Sequence, residues 1–234
     1  MSLFLLLKEL KAKENQQKAK LLSGFFKTGS GQYGEGDFFL GITVPESRVL
    51  AVKHSELALP DISKLIKNKY HEARLIALLL LVHKYKNGKE TEKKKIYNFY
   101  LTHTKYINNW DLVDLSAGYI LGTYLLDKKR EILIKLANSK NLWEKRIAII
   151  STFAFIYKGE YELTFKIVKI LMKDKHDLIH KACGWMLREV GKRVSEKELL
   201  KFIDSNIKTM PRTMLRYAIE RLPENKRKSY LNKK

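Results

Sequence analysis

Cysteine occurs once, at Cys183, which excludes an internal disulfide and a multi-cysteine metal site. No apolar run approaches the ~20 residues that span a bilayer, so no transmembrane segment is expected. The opening Leu3-Phe4-Leu5-Leu6-Leu7 is followed at once by Lys8-Glu9, as in an amphipathic helix rather than a signal peptide. No segment alternates polar and apolar residues long enough to make a sheet. Acidic residues are few beside basic ones, 25 against 46, leaving a formal net charge of +21. Such an excess opposes compaction and points to a polyanionic partner, nucleic acid before a membrane surface. A lysine-rich proteome is the other source of the charge, and the Lys and Glu enrichment also suits a thermophile. The glycine-rich segment Gly29-Ser30-Gly31-Gln32-Tyr33-Gly34-Glu35-Gly36 lacks the Gly-Lys-Ser/Thr ending of a nucleotide P-loop, which argues against ATP. It reads either as backbone amides offered to a phosphate or as a structural turn. No cofactor is expected, and the expected location is cytoplasmic, at the nucleoid.

What is present is helix. The 234 residues, 45% of them hydrophobic, suffice for a real core, read as one domain over 1–234. Residues 2–22 carry Leu3, Leu6, Leu7, Leu10 and Leu21 on one sticky face. Pro45 and Pro60 open helices, and His71 to Tyr85 has a strong helical period ended by Asn87-Gly88. Further helices are expected over 89–102, from Trp110, and over 128–137, 142–157, 160–172, 176–190, 196–203 and 211–222, with a frayed tail at Asn232-Lys233-Lys234. Helices joined by short loops predict an all-α fold. Their pairing recurs at roughly 35–45 residues, as in a HEAT-like solenoid, with a globular bundle as the alternative.

The chemistry concentrates at Trp110-Asp111-Leu112-Val113-Asp114. Trp110 and Asp114, four apart, share one helix face. Asn108 and Asn109 suit an N-cap, and Asp111 then sits in the first turn, where the helix dipole favours an anion. Asp114 lies beyond that turn, in a cationic chain, and calls for either an ion-pair partner or a function. A second constellation lies on the helix from His176. Ile179, Cys183, Met186 and Val190 form its buried face, while Lys181, Trp185, Arg188 and Lys192 share another. Cations around a tryptophan suit a phosphodiester backbone, and a snorkelling stripe is the plainer reading. His176 and His180 have metal-like spacing but no third ligand, so no metal is expected. Arg146 follows Trp143 by three and is a candidate partner for Asp114 or for a phosphate, Trp143 being core. Arg212 and Arg216 stand one turn apart near a helix start, fit for a phosphate or for solvent.

Taken in order, Phe38-Phe39-Leu40-Gly41-Ile42 with Pro45, Trp110 to Asp114, Asn141-Leu142-Trp143-Glu144-Lys145-Arg146, and Ile179 to Glu189 resemble the AlkD-like family of DNA alkylation-repair glycosylases. The resemblance covers most of the chain. It implies a curved superhelical stack of HEAT-like helical repeats with a cationic concave face, and removal of N3- and N7-alkylated purines from duplex DNA. It makes Asp114 the catalytic carboxylate and puts Trp110, Arg146 and Trp185 around it. Phe25 stands where the family has a cleft tyrosine, with Lys27 beside it, and the Gly29–Gly36 insertion differs from some members. Lys181, Arg188, Arg212 and Arg216 complete the expected DNA surface, on a monomer.

Alkylation at N3 or N7 makes the purine cationic and a better leaving group. An ionised Asp114 would stabilise the oxocarbenium-like sugar and orient the capturing water. Family members without glycosylase activity leave a rival reading, a non-catalytic scaffold for bent, branched or damaged DNA. A groove for an acidic peptide is a second rival.

Overall fold

Asparagine and serine side chains decide where many of the helices start. Asn15 Oδ1 accepts the Lys18 amide at 3.0 Å, Asn141 Oδ1 that of Trp143 at 2.8 Å, and Ser195 Oγ that of Glu198 at 3.2 Å. The computed structural model describes residues 2–233. Among them the regular elements are helical, with one isolated parallel bridge, Phe38 to Tyr70. The described chain is thus all-α, as the periodicity predicts.

It divides into two compact units after Ser116. The first holds α1 (Leu3–Ala12), α2 (Gln16–Phe25), α3 (Val44–Lys53), α4 (Leu59–Ile66), α5 (His71–Asn87), α6 (Glu90–Thr102) and α7 (Trp110–Asp114). Its axis is α5, packed on by α3, α4 and α6. Every residue of α5 from His71 to Leu81 is buried, as the all-round apolar run from Leu75 to Leu81 requires of that part. The second unit opens on a π-helical turn, Gly118–Gly122, and holds α8 (Glu131–Ala137), α9 (Leu142–Ser151), α10 (Phe153–Ile156), α11 (Glu162–Leu171), α12 (Asp177–Arg193), α13 (Glu196–Asn206), α14 (Arg212–Ala218) and α15 (Glu224–Asn232). Here α12 is central, with α9, α11, α13 and α14 around it. Gly184 lets α14 come close: a Cβ there would lie 2.5 Å from Tyr217 Cβ and 2.6 Å from the Met214 carbonyl oxygen.

Three expectations are corrected. The helix read over 2–22 is two helices, because Asn15 both caps α2 and donates its amide to the Leu40 carbonyl at 2.8 Å. The helix read over 142–157 breaks at Thr152. Its amide and hydroxyl both turn back to the Ile149 carbonyl, while Ser151 Oγ bonds the Ile147 carbonyl. The C-terminal stretch is helical from Glu224 rather than frayed at Asn232, since Tyr230 is buried with its hydroxyl donating to Asp204 at 3.1 Å. Lys234 of that tail lies outside the described residues.

Candidate functional site

The segment Trp110–Asp114 is a five-residue helix. Asn109 begins it, Oδ1 accepting the Trp110 amide at 2.8 Å. Ser116 ends it, with Oγ donating to the Leu112 carbonyl at 2.5 Å and meeting the Tyr100 hydroxyl at 2.9 Å. Burial pushes the Tyr100 phenol well up, so it stays neutral. Leu112 and Val113 point into the core. Trp110 and Asp114 are left half-buried on the other side.

Asp111 does more than favour the helix dipole. It is buried, and its Oδ2 lies 2.8 Å from His71 Nε2. His71 Nδ1 faces Asp37 Oδ2 at 3.4 Å, and Arg74 Nη2 donates to Asp37 Oδ1 at 2.7 Å. Asn108 Nδ2 donates to the same Asp37 oxygen at 2.8 Å. The result is a buried row of alternating charge: Arg74, Asp37, His71, Asp111. Burial alone would push His71 down, but the Asp111 charge and hydrogen bonds to Asp111 and Asp37 raise it to about 9. Asp37 is likewise lowered despite its burial, by His71, Arg74 and Asn108. Sequence reasoning missed this row. Its signal was His71, Glu72 and Arg74 crowded into the first turn of an otherwise apolar helix.

Aromatic rings cover the row. Phe39 stacks on His71 with centroids 4.6 Å apart, Phe26 lies 5.0 Å from His71, and Trp110 stacks on Phe26 at 5.2 Å. Phe25 meets Trp110 edge-on at 5.9 Å and is 63% exposed. Trp110, Asp111, Asp114, Phe25, Phe26 and His71 all line one largely apolar cavity of about 440 Å³. The sequence-predicted pair Trp110 and Asp114 therefore share a cavity with Phe25. Lys27 is exposed next to it, in the left-handed region at φ 56°. Two amides of the glycine loop are taken by its own side chains. Gln32 Oε1 takes that of Gly29 at 3.0 Å, and Glu35 Oε2 that of Gly31 at 2.8 Å.

The other predicted residues belong to the second unit. Trp185 is half-buried with Phe153 at 6.2 Å, opposite the buried face of Ile179, Cys183, Met186 and Val190. Lys181 pairs with Asp177 at 2.8 Å, and Arg188 pairs with Glu220. Lys192, Arg212 and Arg216 are exposed, Arg212 Nη1 reaching the Leu231 carbonyl at 3.1 Å. Arg146 is buried, its Nη1 donating to the Leu178 carbonyl of α12 at 2.6 Å. Trp143 is buried beside it in α9, as read. His176 and His180 spend ring nitrogens locally, on the Leu178 amide and the Asp174 carbonyl. Among the described residues no three His, Cys, Asp or Glu gather as metal ligands, and no helix is long and apolar enough to cross a membrane.

Fold and site together define the class: an all-α helical-repeat protein with a carboxylate and an indole on one apolar cavity. Residues 6–222 match the family model described as DNA alkylation repair enzyme. The chain belongs to that AlkD-like family, whose role is alkylation-damage repair and whose substrate is DNA. A solved structure described as "Predicted DNA alkylation repair enzyme from Enterococcus faecalis" shares the fold, with TM-score 0.69 and 17% identity over 91% of this chain and 98% of that one. No curated protein sequence matches.

Proposed function

We propose that the protein is a DNA glycosylase that hydrolyses the N-glycosidic bond of N3- and N7-alkylated purines in duplex DNA, acting as a monomer. The observation that carries this reading is the joint exposure of Trp110 and Asp114 to one cavity in a chain of the alkylation repair family. The alkylated purine already carries the positive charge that an acid catalyst would otherwise supply. Its bond to C1′ breaks with the electron pair leaving on the base, which departs neutral. The sugar is left as an oxocarbenium ion. Asp114 stabilises that cation and orients the water that adds to C1′ and then loses a proton. The electron-rich face of Trp110 favours the same positive charge. Binding by Lys27, Lys181, Trp185, Arg188, Arg212 and Arg216 to the DNA backbone goes with the net charge of +21. Arg146, joined to the Leu178 carbonyl, steadies the helix that carries Trp185.

The test is chromatography of bases released from methylated duplex by the wild-type protein and by Asp114→Asn. Release of methylpurines by the first and a loss of 100-fold or more (order of magnitude) in the second are expected. Methylpurine release by D114N at a wild-type rate, or none by the wild type despite duplex binding, overturns the reading, the latter in favour of a DNA-binding scaffold.

A further inference from the structure

Two carboxylates of α7 open on the cavity, Asp111 and Asp114, and they are not equivalent. Asp111 is buried on a ring nitrogen of His71, whereas Asp114 is half-buried one turn on. His71 also reaches Trp110, through Phe26: the imidazole lies 5.0 Å from Phe26, and Phe26 stacks on Trp110 at 5.2 Å. One side chain, rooted in the central helix α5, thus touches the backbone helix of Asp114 through Asp111 and the indole through an aromatic stack. We propose that His71, as the imidazolium clamped between Asp37 and Asp111, is a positioning residue of this site, fixing the orientation of α7 and the plane of Trp110.

The inference rests on the glycosylase reading for its effect on rate. A five-residue helix has little stability of its own and takes its orientation from what holds its first turn. Asn109 and Asp111 are the buried polar residues of that turn, and both lead back to Asp37 and His71. Two charges of opposite sign in a dry site attract strongly, and the attraction is lost when the ring loses its proton. The charged groups around the ring are Asp37 from the segment before Phe38, Arg74 and Glu72 from its own helix, and Asp111 and Asp114 from α7. The ring titrates at about 9, so the clamp is closed at neutral pH and opens in mild alkali.

The chain has three tryptophans, so W143F/W185F leaves Trp110 as the sole indole. In that full-length background, acrylamide quenching of Trp110 is followed from pH 6 to 10.5 with His71 and with His71→Gln, which carries the same tyrosines and serves as baseline. A transition near pH 9 with His71 and none in H71Q is expected. In chains retaining all three tryptophans, single-turnover base release should fall through the same transition with His71. In H71Q it should be flat and about ten- to a hundredfold lower, with duplex affinity unchanged. Identical quenching curves, or an unaltered pH–rate profile in H71Q, overturn the proposal. Should H71Q not fold, Asp111→Asn serves: it removes the stronger clamp and must move the Trp110 transition to lower pH, and an unmoved transition overturns the proposal equally. Absence of base release from every chain refutes the glycosylase reading, while the quenching experiment still decides the positioning role.

Discussion

Glu72 receives the Gly41 amide at 2.8 Å, and the same carboxylate takes the amides of Leu40 and Ile42 at 3.0 and 3.2 Å. A buried anion at the start of α5 is thereby satisfied by backbone donors and by the positive helix end. The segment it holds carries Phe39, which lies on His71, so the cavity floor depends on this contact.

Glu72→Gln should cost about 1–3 kcal/mol, since the charge-assisted bonds to Oε1 would weaken and an amide nitrogen would replace the Oε2 that faces the Leu40 amide. Urea unfolding at neutral pH measures it. A cost under ~0.5 kcal/mol, the range of ordinary surface substitutions, would mean the three amides find other partners.

Gly41→Ala should be similarly damaging for a different reason. The residue sits at φ +84°, and an added Cβ would lie 2.2 Å from the Asn15 carbonyl oxygen, backbone that cannot step aside. Loss of about 2–4 kcal/mol is expected. Because Asn15 starts α2, a shift there should also loosen Phe25 and Phe26, seen as increased quenching of Trp110.

Stability should fall as pH rises past neutrality. His71 is raised from 6.5 to about 9, so its contribution is complete below 6.5 and is lost as pH climbs through 9. The shift corresponds to about 3 kcal/mol. Asp37, lowered from 3.8, works the other way: its contribution is present above 3.8 and lost as pH falls through its depressed value. Urea midpoints at pH 6.5, 8 and 10 check the alkaline limb, and in H71Q that limb should flatten.

The helices were legible because apolar spacing is a property of the chain itself, and Trp110 with Asp114 was legible because spacing of four fixes a shared face. Where helices break was less so. Asn15 acts through a contact with Leu40 that local propensity does not encode, and Thr152 through a back-bond to Ile149 that a threonine in a helical pattern permits without requiring. The charge row was not legible at all as a row. Asp37, His71 and Asp111 are far apart along the chain, and only packing of the segment before Phe38 and of α7 against α5 brings them together. Asp111 illustrates the difference: its helix-start position was visible, its partner was not.

Binding and chemistry should separate in mutants. Arg212→Ala and Arg216→Ala remove exposed cations, so each should weaken duplex binding without regard to sequence or lesion, and lower the slope of log affinity against log salt by about one. Asp114→Asn removes a negative charge from a protein that binds a polyanion. It should therefore bind duplex as tightly as wild type or more tightly, with an unaltered salt slope, while base release collapses. Fluorescence anisotropy from 50 to 200 mM salt, roughly the range over which phosphate contacts dominate, supplies both quantities. An arginine variant with unchanged slope would take that residue out of the DNA surface. Weaker binding by D114N would mean that the carboxylate holds a basic side chain in place instead of facing the sugar.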